Sequence, residues 1–249
     1  MAGPLEQFDI HPVGGTAQLG GFDVSFTNAS LWMVITVAAI TLFVVGGMRQ
    51  RALVPGRWQS MVELSYNFVS DIVKENVGKK GNDYFPFIFS LFMFVLMGNL
   101  LGLLPYSFTV TSHLAVTFAF AAFIFVGTII IGLMRHSTHF FSMFLPPKTP
   151  VPLIPIIVLI EVISFLSRPV TLSVRLFANM TAGHILLKVF AGFVVSLGAA
   201  GGLLSILSVV PLVMNVALTA LELIVAVVQA YVFALLTSVY LNDAVNLSH

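Results

Sequence analysis

At 249 residues, 58% of them hydrophobic and only 8% charged, the chain lies far from soluble domains, which run at about 45–50% apolar and about 25% charged, so a water-soluble fold is excluded. A formal net charge of +1 argues against a nucleic-acid or acidic partner. The lack of cysteine excludes disulfides, thiolate metal sites and cysteine nucleophiles, and leaves the redox compartment open.

Residues 1–28 are polar and glycine-rich, carry no lysine or arginine, and read as an exposed segment. Glu6, Asp9 and Asp23 precede the first apolar run where a cleavable leader would place basic residues, so no leader is expected. Asn28 or Ser30 suits the cap of the first helix. Leu31–Met48 is just long enough to span a hydrocarbon core of about 30 Å, and Arg49, Arg51 and Arg57 follow at once.

Residues 57–78 differ. Trp58, Met61, Val62, Tyr66, Val69, Ile72, Val73 and Val77 recur at helical spacing, with Glu63, Asn67, Asp71, Lys74 and Glu75 mainly on the other side. That pattern predicts an amphipathic helix lying on the membrane surface, ended by Gly78-Lys79-Lys80-Gly81. Asn82 or Asp83 suits the next cap, and Tyr84–Leu104 is a second span. Its Gly98 and Gly102 form a GxxxG that lets another backbone come close, or carry no special meaning; Asn99 beside them is expected to bond to a neighbouring helix. Pro105-Tyr106 closes the span, Ser107–Ser112 is an uncharged loop, and His113–Met134 is a third span ended by Arg135-His136. Residues 136–152 form a loop with four prolines (Pro146, Pro147, Pro150, Pro152) and Lys148. His136 and His139 have metal-like spacing but no third ligand, and read as solvent-exposed.

The two remaining apolar runs, 151–197 and 203–241, each far exceed the roughly 20 residues of an upright span. Either each is broken, with Pro169 and Pro211 as kink points, or the two form a strongly tilted hairpin; the absence of a polar turn inside either run favours the hairpin. The expected fold is an all-α membrane protein, a single transmembrane domain over 1–249. It has five membrane-embedded helices plus one interfacial amphipathic helix, the last two long and strongly tilted. With alternating spans, Arg49, Arg51, Arg57, Lys74, Lys79, Lys80, Arg135 and Lys148 share one side, while the N-terminal segment, the 105–112 loop and the Gly198–Gly202 break carry no lysine or arginine. By the positive-inside rule the N-terminus faces out and the C-terminal residues Asn242–His249 face in.

Glu161, Arg168, Arg175, Lys188 and Glu222 lie inside the long hairpin, joined by Ser164, Asn179, His184 and Gln229. Seven residues turn an α-helix by about 700°, a drift of only about −20°. Glu161, Arg168 and Arg175 therefore share a stripe with Ser164 and Asn179, and Glu222 shares a face with Gln229. His184, nine residues past Arg175, points about 180° away. The polar groups thus form two offset regions separated by a fixed cation, which suggests two half-pathways for protons rather than one pore; Glu and His pass protons readily, and no oxygen-rich cage suits a metal ion. Blander roles also fit. Glu161 and Arg168 suit a structural i, i+7 contact, Lys188 suits snorkelling, Gln229 suits helix adhesion, and His184 with Glu222 suits a satisfied buried pair. Arg175 has the least bland alternative: Glu161 is its nearest acidic neighbour in sequence, and a guanidinium in hydrocarbon costs about 2.5–3.5 kcal/mol on insertion scales.

The run Arg175-Leu176-Phe177-Ala178-Asn179-Met180-Thr181-Ala182-Gly183-His184 closely resembles the signature of subunit a of F-type ATP synthases. Gly98-Asn99-Leu100-Leu101-Gly102-Leu103-Leu104-Pro105 and Glu222…Gln229 are similar to that family's other two motifs, in the same order, and the likeness covers nearly the whole chain. The resemblance implies a non-catalytic, proton-conducting stator subunit with no cofactor, packed against a rotating ring of c subunits and held by b-type peripheral stalk subunits in the ATP synthase. Arg175 would face the ring carboxylate with Gln229 opposite; Asn179, His184 and Glu222 would line the outer half-channel, and Glu161 with Ser164 the inner one. Many bacterial members carry Glu at position 184 and His at position 222; the reverse order here is that of mitochondrial members. A bacterial inner membrane is the first expectation and a mitochondrial inner membrane the second. Sodium-driven members exist, and this chain alone does not decide the ion. A secondary transporter clamping a small anion with Arg175 would be expected to show two related halves, and none is seen. An intramembrane hydrolase would need a nucleophile–base pair or an HExxH motif, which is missing.

Overall fold

The structure, a computed structural model, describes residues 8–13, 15, 18–19, 22–23, 25–49, 52–104, 107–144 and 150–246. Arg51, Pro105-Tyr106, Pro146, Pro147, Lys148 and the last three residues of the C-terminal segment fall outside the described residues. A two-residue hairpin, β1 Gln18–Leu19 with β2 Phe22–Asp23, precedes the helices. These are α1 Asn28–Met48, α2 Arg57–Val77, α3 Phe85–Gly102, α4 Leu114–His136, α5 Ile154–Ala200, the short α6 Gly202–Leu207 and α7 Val209–Val245. Five helical stretches among the described residues are long and apolar enough to cross a membrane: α1, Arg57–Gly102, α4, α5 and Ser205–Val245. The all-α membrane class is therefore the observed one.

The two long runs are not broken at their prolines. α5 continues through Pro169, although a proline there withdraws one backbone hydrogen bond. Pro211 sits in the first turn of α7, where its missing N–H has no partner to lose. After α5 the helix is interrupted at Gly201 and again at Ser208.

The chain divides into two compact units. The first gathers Met1–Ile40, Phe94–His113 and Leu176–Gln229. Here α1 is capped by Thr27, whose Oγ1 accepts the Ser30 N–H at 3.4 Å, rather than by Asn28 or Ser30. Asn28 instead ties the N-terminal segment down: its Nδ2 donates to the Asp9 carbonyl and its Oδ1 accepts the His11 N–H. The GxxxG of α3 also works differently from expectation. The nearest approach to both glycines comes from Thr109 and Thr111. The 107–112 loop folds back onto it, and a Cβ at Gly102 would lie 2.7 Å from the Thr109 side chain. Asn99, fully buried, does reach a neighbouring helix, donating to the Ala226 carbonyl of α7 at 3.4 Å and accepting the Thr111 hydroxyl at 2.8 Å.

The second unit gathers Thr41–Met93, Leu114–Arg175 and Ala230–His249. In it α2 buries Val62, Val69, Ile72, Val73 and Val77, the inward half of its apolar pattern. Trp58, Met61 and Tyr66 remain exposed. The α7 segment packs through a seam of small residues, Ala230, Ala234 and Ser238, all buried, which permits close helix approach. The end of α7 is pinned: Asn246 donates to the Val77 carbonyl, and His136 lies 3.2 Å from the Val245 carbonyl, half-buried rather than solvent-exposed.

Candidate functional site

In the first unit α5 and α7 run antiparallel, because pairs between them fall in one number while rising in the other: His184 with Glu222, Asn179 with Gln229. His184 and Glu222 are both buried, and Nδ1 of His184 stands 3.3 Å from Oε1 of Glu222. Asn179 Nδ2 donates to Gln229 Oε1 at 3.1 Å. Four of the seven site residues named from the sequence therefore form two contacts in this unit.

The sequence reading missed what completes the cluster. Thr109 Oγ1 lies 2.8 Å from His184 Nε2 and also donates to the Gly102 carbonyl at 3.2 Å. A hydroxyl has one proton. With that proton on the Gly102 carbonyl, Thr109 accepts Nε2–H, and Nδ1 of a neutral imidazole is left facing the carboxyl of Glu222. Nδ1 and Oε1 are close, and neither carboxyl oxygen of Glu222 has a hydrogen-bond partner among the described residues. Thr181 adds a bond from the same turn of α5 to the Ser112 carbonyl, at 3.3 Å. A threonine-rich loop between spans thus carries as much of this cluster as the helices do.

Gly183 sets how close the two helices come at this point. A Cβ there would stand 2.5 Å from Oε1 of Glu222, nearer than real Cβ atoms come to anything. Alanine at 183 would move the carboxyl outward while gaining about 1 kcal/mol of helix propensity. Gly183→Ala is therefore expected to leave the amount of folded protein nearly unchanged, the propensity gain offsetting part of an overpacking cost of about 1–3 kcal/mol, and, if the pair passes protons as the resemblance implies, to lower proton flux in vesicles. Unchanged flux would show that the His184–Glu222 spacing does not matter.

In the second unit Glu161 is half-buried and Ser164 exposed on α5. Arg168 does not pair with Glu161, the structural contact that the shared stripe allowed. Its Nη1 bonds Asp243 Oδ2 at 2.7 Å, and its guanidinium lies between the rings of Phe165 and Tyr240, at 5.3 and 5.0 Å. Seven residues rise about 10.5 Å along a helix, farther than the i, i+4 reach of an ion pair, whereas Asp243 approaches from α7. Arg175 is exposed, and no hydrogen bond or ion pair joins it to any described residue. It shares its stripe on α5 with the small exposed side chains Ser164 and Thr171 and with Arg168.

Residues 30–242 match the family model described as ATP synthase A chain. Among curated proteins, the chain is similar to ATP synthase subunit a of Agrobacterium fabrum, 56% identical over 99% of this chain and 98% of that one. It is likewise similar to ATP synthase subunit a of Pelagibacter ubique, 54% identical over 99% and 98%, and of Afipia carboxidovorans, 53% identical over the whole of both chains.

Proposed function

The chain belongs to the ATP synthase A chain family, and on that premise we propose that it is the proton-translocating stator subunit of an F-type ATP synthase, with two half-channels that meet a rotating ring of c subunits on either side of Arg175. It is an integral membrane protein with five membrane-capable helices. The single observation that carries the reading is Arg175, an exposed cation without an ion pair among the described residues, on a face of small side chains. Small residues let a partner helix approach, and a permanent charge on such a face calls for a partner of opposite charge from another chain.

The proposed sequence has a proton enter from the outer side past Asn179, Glu222 and His184 and neutralise a ring carboxylate. The neutral carboxyl rotates into lipid, where an ionised one would cost several kcal/mol. After nearly a full turn it releases its proton past Ser164 and Glu161. The resulting carboxylate is held by Arg175, which blocks a direct leak between the half-channels, and Gln229 of α7 serves the same exchange. The driving force is about 2.3 kcal/mol per charge per 100 mV. No bond chemistry occurs in this chain; ATP is made on other subunits, and b-type stalk subunits keep this one from turning. The membrane is the bacterial inner membrane with the N-terminus outside, the side that the basic loops avoid.

The natural lack of cysteine makes the test direct. Thr171→Cys, on the Arg175 stripe, is expected to form a disulfide with cysteines placed beside the ring carboxylate. Leu166→Cys, exposed but about 180° from Arg175, is expected to form none. Cross-linking from position 166 alone, or purification without a proteolipid ring, would overturn the assignment.

A further inference from the structure

The corner joining α1 to α2 holds an open pocket of about 630 Å³ that plays no part in the proton path. Its walls are Arg49 and Arg57, the bare backbone of Gly46, Gly47 and Gly56, and Trp58. Neither guanidinium has an ion pair among the described residues. The walls are fixed in advance. Gln59, nearly buried, holds both the N–H and the carbonyl of Ala52 with its side-chain amide, at 3.3 and 3.2 Å. The Trp58 indole N–H donates to the Phe43 carbonyl at 2.9 Å, anchoring α2 to the last turns of α1.

Two further features decide what such a pocket takes. Leu53 and Val54, in the loop between the arginines, are fully exposed, at 105% and 86%. Leu42 and Val45, on the preceding turns of α1, are 70% and 61% exposed. A cationic hollow bordered on two sides by bare aliphatic surface, at the end of a membrane-capable helix and beside an interfacial tryptophan, suits one amphiphile. A small inorganic anion would satisfy the arginines and leave the aliphatic side chains in water. An acidic peptide would do the same. We propose that this corner is a binding site for an anionic phospholipid of the inner leaflet. The phosphate lies between Arg49 and Arg57, and an acyl chain runs back along Leu42 and Val45. Basic residues next to a membrane helix attract such headgroups, and a preformed pocket spares the cost of ordering the loop.

The test uses the intact complex, purified and returned to vesicles carrying a trace of photoactivatable phosphatidylglycerol or, separately, photoactivatable phosphatidylcholine. The phosphatidylglycerol probe is expected to label the peptide carrying residues 42–62 about 30-fold more in the natural chain than in R49Q/R57Q, and about fivefold more than in R49Q alone, which serves if the double variant does not accumulate. L53S/V54S is expected to weaken labelling as well, and the phosphatidylcholine probe to label weakly throughout. Equal labelling by the two probes, or labelling indifferent to both arginines, overturns the proposal. So does displacement by millimolar inorganic phosphate with L53S/V54S silent, which marks a free-anion site. A carbodiimide cross-link from R57K to a carboxylate of another subunit in place of lipid likewise overturns it. Coupled proton pumping is measured in the same vesicles, so a failed lipid site is distinguished from a failed stator assignment.

Discussion

Arg175→Ala is expected to abolish ATP synthesis driven by a proton gradient while leaving the complex assembled. Assembly survives because the side chain is exposed and makes no hydrogen bond or ion pair with any described residue. Function does not on the proposed mechanism, in which the guanidinium's partner is a ring carboxylate that arrives deprotonated. At about 4 Å and an effective dielectric of about 20 their attraction is about 4 kcal/mol, close to a thousandfold in a rate or an occupancy. Removing it lets the carboxylate reprotonate from the channel it has just left, so protons leak without turning the ring. Two measurements check this: proton-driven ATP synthesis falls to background, and passive proton conductance of vesicles stripped of the soluble sector is retained or rises. Arg175→Lys keeps the charge but not the planar, delocalised fork, and is expected to restore little coupling. Sustained ATP-driven proton pumping by Arg175→Ala in inverted vesicles would remove this residue from the mechanism.

The helical class and the isolation of Arg175 were legible in the sequence for the same reason: hydrocarbon tolerates few charges, so every charge in an apolar run stands out. Continuity of α5 through Pro169 was legible too, because no polar turn interrupts the run. What could not be read was contact between segments distant in sequence. Asp243 binds Arg168 across 75 positions, and helical periodicity carries no trace of that; it offered only Glu161, on the same stripe but too far along the axis. Thr109 was hidden differently. The uncharged loop that contains it looked like a connector, and only its burial against His184 gives the hydroxyl a role. The one signal was compositional: Thr109, Thr111 and Ser112 crowd hydroxyls into a loop between two apolar spans, where unsatisfied polar groups are costly. The GxxxG of α3 misled because it tells that something approaches closely, not what; here it is a folded-back loop.

His184→Ala and Glu222→Gln are each expected to slow proton entry by about 10–100-fold, below the range usual for removing a positioned acid or base because water can refill part of the gap. The geometry adds a stronger expectation than either loss alone. If the pair, 3.3 Å apart at Nδ1 and Oε1, acts as one relay, the double variant should be little slower than the worse single one, with a coupling of about 0.5–3 kcal/mol in a double-mutant cycle. Independent effects would show that the two groups serve separate steps. Thr109 supplies the finer test, because its hydroxyl lies 2.8 Å from Nε2 and holds the ring whichever of the two atoms carries the proton. Thr109→Val keeps the volume, strands Nε2 and should slow entry several-fold, as losing one neutral hydrogen bond of about 1 kcal/mol implies. Thr109→Ser returns the hydroxyl and should return the rate, although it packs less well than valine. A purely steric role for this residue predicts the opposite order, with valine tolerated and serine not, while the bond to the Gly102 carbonyl, which valine also loses, is read from the amount of assembled complex. The rate at which stripped vesicles pass protons, normalised to the amount of assembled complex, separates the two.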